Sequence, residues 1–127
     1  MREARIEILM MPPAECAPNR RRHWRVVSRA AREAREEATK ATRIALNNGE
    51  PGLSAFCGYV GDVVMDIEVA WHGRRTGMDE DNLITACKPL RDGVADVLWG
   101  DDRRVRVGDV RQTRGQGTTT LILREAS

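Results

Sequence analysis

The stretch from residue 78 to residue 105, MDEDNLITACKPLRDGVADVLWGDDRRV, gathers acids at Asp79, Glu80, Asp81, Asp92, Asp96, Asp101 and Asp102 in a chain of net charge +2. Carboxylates at contact distance repel by about 1 kcal/mol per pair in water, and by roughly 4 kcal/mol at the effective dielectric of a protein surface. Two arrangements tolerate such a crowd: the acids are spread out as helix caps and surface charges, or a cation sits among them. Asp81 suits a helix N-cap, with Asp79 and Glu80 favourable against the helix dipole, and Gly-Asp-Asp suits a turn. If the chain instead runs extended into its helix, Asp79 and Asp81 share a side and offer two carboxylates to one point. The occupant of such a point is a hard divalent ion such as magnesium, which takes one or two carboxylates and keeps several waters. Two such ions about 4 Å apart activate a water and stabilise the leaving oxygen of a phosphodiester. A softer site is hard to assemble, because the only histidines are His23 and His72, and Cys16, Cys57 and Cys87 are odd in number and far apart. The cysteines read as reduced thiols of a cytoplasmic protein.

Basic residues concentrate elsewhere. Arg20, Arg21, Arg22, Arg25, Arg29, Arg32, Arg35, Lys40 and Arg43 lie in one segment that holds only Glu33, Glu36 and Glu37. A basic region beside an acidic knot fits a polyanion bound next to a metal. The Asn19-Arg20-Arg21-Arg22-His23 loop and the stripe Arg25, Arg29, Arg32 are the candidate DNA contacts, since guanidinium forks hold phosphates without reading sequence. Pairs such as Arg29–Glu33, Arg32–Glu36 and Glu36–Lys40 are the competing explanation of the stripe. Arg74 and Arg75 precede the acids and either hold a phosphate or keep a loop soluble. Trp24, opening a helix, is expected to pack on the core, with base stacking as the alternative; Trp71 and Trp99 are expected in the core. His72 has no identifiable partner for general-base work, and Asp96 reads as a surface position.

The elements that must position these residues follow from periodicity. Residues 4–11 alternate in part and predict a short strand ending at Pro12-Pro13. From Trp24 to Asn48, Val27, Ala30 or Ala31, Ala34, Ala38, Ala41 and Ala45 recur at helical spacing. Residues 60–71 alternate, with Val63, Met65, Ile67, Val69 and Trp71 on one face. A second helix is predicted from about Asp81 to Leu98, kinked or split at Pro89, which cannot donate to the Thr85 carbonyl. RRVRVGDVRQ and TTTLILRE around TRGQG predict a closing hairpin. The result is one α+β domain over residues 1–127, order β-α-β-α-β-β, a mixed sheet with two helices. No apolar run approaches the ~20 residues of a membrane span, and the N-terminus lacks a signal-peptide pattern.

D-x-D-N-L at 79–83, K-x-x-x-D-G-V at 88–94 and DD-x-x-V at 101–105, after PP-x-x-x-x-x-N-R-x-x-H-W at 12–24, resemble the RusA-like family of Holliday junction resolvases over roughly residues 5–123. The resemblance implies a homodimeric, magnesium-dependent nuclease of bacteria or phages, active in the cytoplasm on four-way DNA junctions, with manganese as a substitute metal. By position, Asp79 and Asp81 match the family's two motif aspartates. Asp102 matches the third, because Val105 follows it by three. Asp101 fits that rule less well but stands beside it as a further metal-ligand candidate. The chain departs from the family at Thr85, where a functional lysine is expected. Lys88 comes three residues late and keeps the spacing to Asp92. Three extra residues turn a regular helix by about 300°, which a break at Pro89 would absorb. The rival reading is a non-catalytic junction-binding dimer whose acidic cluster is structural.

Overall fold

A computed structural model describes residues 2–18, 23–73, 77–100 and 105–126. Among them the elements run β1 (Glu3–Ile8), α1 (Trp24–Asn47), β2 (Val63–Trp71), α2 (Glu80–Ala86), α3 (Lys88–Leu98), β3 (Val105–Arg114) and β4 (Thr118–Glu125), with single 3-10 turns at Ala14–Cys16 and Ser54–Phe56. The fold is the expected α+β order. The second helix is two pieces because Pro89 sits in the first turn of α3 and the chain resets at Cys87. There the Cys87 N–H reaches back to the Leu83 and Thr85 carbonyls, so α2 closes as α3 begins.

Alternation in the strands decides the core. Ile6, Ile8, Met65, Ile67, Val69, Leu121 and Leu123 point to one face and pack with Ala34 and Ala38 of α1 and with Leu83, Leu90, Val94 and Leu98 of α2 and α3. The small face of α1 lets it approach α3 closely. Arg35 then pins the pair through a two-pronged contact to Asp96, Nε to Oδ2 at 2.5 Å and Nη2 to Oδ1 at 2.8 Å. Asp96 is at the surface as expected, and there it also ties the two helices. The opposite face of the sheet is polar and laced by Arg5–Glu68 at 2.8 Å and Arg124–Asp66 at 2.8 Å.

The sheet order is β1-β4-β2-β3, and this corrects the closing hairpin. The last two strands do not pair; β2 lies between them, parallel to β3 and antiparallel to β4. The three residues after Arg114 cross the end of β2, held by the Gly115 N–H on the Trp71 carbonyl at 2.8 Å and the Gly117 N–H on the Ala70 carbonyl at 2.9 Å. A Cβ on Gly115 would stand 2.7 Å from that of Ala70, so the crossing needs glycine there. Glycine-rich turn chemistry is shared by hairpins and by such crossings, and only the third strand separates them.

Candidate metal and nucleic-acid site

β2 ends at Trp71 and β3 runs parallel to it, so α2 and α3 form the crossover between them. Asp79 is the N-cap of α2, with φ −52° and ψ 141°, and Glu80 and Asp81 lie in its first turn. The cap is therefore two residues earlier than the Asp81 assignment that sequence allows. The Asp79 side chain makes no capping hydrogen bond. Asp79, Glu80 and Asp81 are all exposed, and among the described residues none of the three side chains enters an ion pair or accepts a hydrogen bond. Two spare carboxylates at a helix start are hard oxygen donors with no competing partner, which suits a divalent cation of the magnesium type. Among the described residues no three His, Cys, Asp or Glu side chains form a metal-holding group.

The segment entering α2 is held from β3. The Gln112 side chain accepts the Met78 N–H at 2.9 Å through Oε1 and donates to the Met78 carbonyl at 2.7 Å through Nε2. Its Oε1 also accepts the indole N–H of buried Trp71 at 2.8 Å. Gln112 pairs with Val69 across the sheet. Sequence reasoning passed it over; the available signal was a polar residue at an inward position of β3, in register after Val107 and Val110.

Asp101, Asp102, Asn19, Arg20, Arg21, Arg22, Arg74 and Arg75 lie outside the described residues. The neighbours of the first two are described. Gly58 bonds to the Leu98 carbonyl at 3.0 Å and Val105 pairs with Val63 at the start of β2. Met78 bonds to Gln112 near the other end of β3. Val105 and Gln112 are seven residues apart on one strand, about 23 Å at 3.3 Å per residue. Val105 and the Met78 contact thus lie toward opposite ends of β3.

Lys88 opens α3 and makes an ion pair with Asp92 at 3.1 Å, which gives Asp92 its role. Both line a cleft of about 550 Å³ with Ser28 and Arg32 of α1 and with Thr85. Thr85 is four residues after Asp81, on the same side of α2. The fold therefore gathers Arg32 and Lys88 on the flank of the helix that Asp79 and Asp81 begin.

On α1, Arg25, Arg29 and Arg32 fall within about 60° of one another at 100° per residue, opposite the buried Ala34 and Ala38. All three are exposed. Among the described residues the pairs Arg29–Glu33, Arg32–Glu36 and Glu36–Lys40 are not formed, so the stripe is not neutralised along the helix. His23 caps α1, its Nδ1 accepting the Arg25 N–H at 3.1 Å, and its ring stacks on Trp24. Trp24 is 66% exposed, with the Arg25 guanidinium 5.4 Å from its ring centroid. The expected core packing of Trp24 is corrected: full burial on α1 begins only at Ala34, so the first turns project beyond the core. Trp71 and Trp99 do join the core. His72 is exposed, and its backbone N–H approaches Met11 Sδ at 3.4 Å.

The cysteines are all free. Burial pushes the Cys87 thiol up to about 12, against a lesser downward pull from Arg91. Cys16 is raised by burial and by Glu15. Both shifts disfavour the thiolate, the form that reacts as a nucleophile. No described helix is long and apolar enough to cross a membrane.

No family model matches the chain. An uncharacterized protein of Xylella fastidiosa, strain Temecula1, is 36% identical over 97 residues, which cover 76% of this chain and 59% of that protein. The chain thus spans about three-fifths of the length of the relative it matches.

Proposed function

We propose that the chain is a magnesium-dependent, structure-specific endodeoxyribonuclease of the RusA-like kind, acting on four-way and other branched DNA as a homodimer in the cytoplasm of a bacterial or phage-infected cell. The observation that carries this reading is the pair Asp79 and Asp81, exposed at the start of α2 with no ion pair or hydrogen bond among the described residues, together with the stripe Arg25, Arg29 and Arg32 on α1, which among the described residues forms no ion pair either. A purely structural acidic cluster would be expected to spend its carboxylates on caps or ion pairs.

In this reading Asp79 and Asp81 hold the metal together with Asp102, and Asp101 stands beside it. Paired nicks on a junction need two such sites, which a symmetric dimer supplies. Magnesium, or manganese in its place, supplies positive charge that acidifies a water and neutralises the phosphodiester oxygens. Arg32 and Lys88 line a cleft on the flank of α2 and would position a phosphate; Arg25 and Arg29 extend that contact along α1. Asn19, Arg20, Arg21, Arg22 and His23, with Arg74 and Arg75, would complete the grip on the arms.

The test is cleavage of a synthetic four-way junction beside a linear duplex and a flap, with magnesium and with EDTA. Symmetric paired nicks in the junction alone, lost with EDTA, are expected. Flap cutting as well would widen the substrate to branched DNA. Junction binding without cleavage under magnesium or manganese would replace the enzyme with a non-catalytic junction-binding dimer.

A further inference from the structure

Among the described residues, the stretch directly before Asp79 is tied to the sheet by the Gln112 side chain. Gln112 meets the Met78 backbone with both ends of its amide, 2.9 Å to the N–H and 2.7 Å to the carbonyl, as a neighbouring strand would. Its Oε1 takes a second donor, the Trp71 indole, at 2.8 Å. Trp71 is 2% exposed, so the oxygen is anchored to the core. Gly77 leaves room for this: its φ is +108°, and a Cβ there would stand 2.7 Å from the same oxygen. Met78 directly precedes Asp79, whose extended backbone turns into the helix carrying Asp81. Asp79 itself contributes no side-chain cap to fix that turn.

We propose that Gln112 is a positioning residue that sets the spacing of the Asp79 and Asp81 carboxylates for a divalent cation. The inference rests on the nuclease reading above. A metal site tolerates little ligand displacement, and outer partners that orient ligands are worth about 10- to 100-fold in metal affinity. Gln112 acts at one remove, through the backbone, so its loss should weaken metal binding without touching the α1 arginines.

The test uses the full chain and manganese alone, with bound ion followed by electron paramagnetic resonance and junction binding measured separately in EDTA. Gln112→Leu, which keeps bulk and removes all three hydrogen bonds, should raise the manganese dissociation constant about tenfold or more and change junction affinity less than about twofold. Gln112→Glu still accepts from Met78 and Trp71 but opposes the Met78 carbonyl, and should fall between wild type and Gln112→Leu. It also serves if the leucine variant fails to fold. Trp71→Phe removes the anchor while leaving the Met78 grip, and should have the smallest effect on the metal. Unchanged manganese affinity in a folded Gln112→Leu or Gln112→Glu protein overturns the positioning role and leaves the nuclease reading standing. A wild-type protein that binds no manganese and cuts no junction overturns both.

Discussion

Asp66 and Asp79 are both aspartates beside the same strand, and they are used in opposite ways. Asp66, in the middle of β2 on the polar face of the sheet, accepts Arg124 Nε at 2.8 Å and Nη2 at 3.2 Å and the Asp109 N–H at 2.7 Å. Burial pushes its carboxyl up, but the hydrogen bonds from Arg124 and Asp109 and the Arg124 charge outweigh that, and it rests below the usual carboxylate range. It sits where β3 is irregular: the register with β2 shifts between Met65 and Ile67, and the carboxylate satisfies the backbone left over. Asp79 and Asp81, past the end of β2, have exposed carboxylates and nothing described to bond. The difference separates charge used to hold the fold from charge kept available, and residue type does not reveal it.

That contrast can be broken by substitution. Asp81→Asn should lower junction cleavage by about a hundredfold or more, the scale of losing a charged group that acts on the transition state. It should leave the melting temperature without metal unchanged or higher, because it removes repulsion, and should keep or tighten junction binding in EDTA. A melting temperature that falls sharply would move Asp81 into the structural class with Asp66.

Asp66→Ala should do the reverse, costing about 2 kcal/mol of stability by stranding the Asp109 N–H and the Arg124 guanidinium. That corresponds to a melting point several degrees lower, with the metal dependence of any cleavage retained. Its pH dependence has a definite sign. The folded pKa lies below the unfolded value near 3.9, so the contribution is present above about pH 4 and is lost as pH falls through the folded pKa. Denaturant unfolding of wild type and Asp66→Ala should therefore converge on acidification; a constant gap down to pH 2 would contradict the ion-pair account.

The smallest effects belong to the arginine stripe. Arg29→Ala and Arg32→Ala should each weaken junction binding a few-fold and lower the slope of log affinity against log salt by about 1, as expected for one phosphate contact apiece. Binding with an unchanged slope would mean that α1 points away from the DNA and that the stripe is merely solvated.

Much was legible along the chain. The limits of α1, the inward face of β2 and the break at Pro89 follow from local rules, namely apolar spacing at 3.6 or 2 residues and a missing proline N–H. The same rules marked Asp79, Asp81 and the arginines as chemically notable. Local pattern failed where the outcome depended on a distant partner. Nothing within TRGQG says that β2 will lie between the strands it joins. Nothing about Trp24 says that the helix outruns the core beneath it. Asp96 read only as a surface position, its Arg35 partner coming from another helix, and Gln112 became meaningful only when the fold brought Met78 and Trp71 to its amide. The sequence by itself determined which segments are helix or strand and which side chains carry charge, because those depend on neighbours a few residues away. Only the tertiary structure decided the strand order and, among the described residues, which acids are paired and which are spare, because strand pairing and ion pairing join residues that chain connectivity leaves independent.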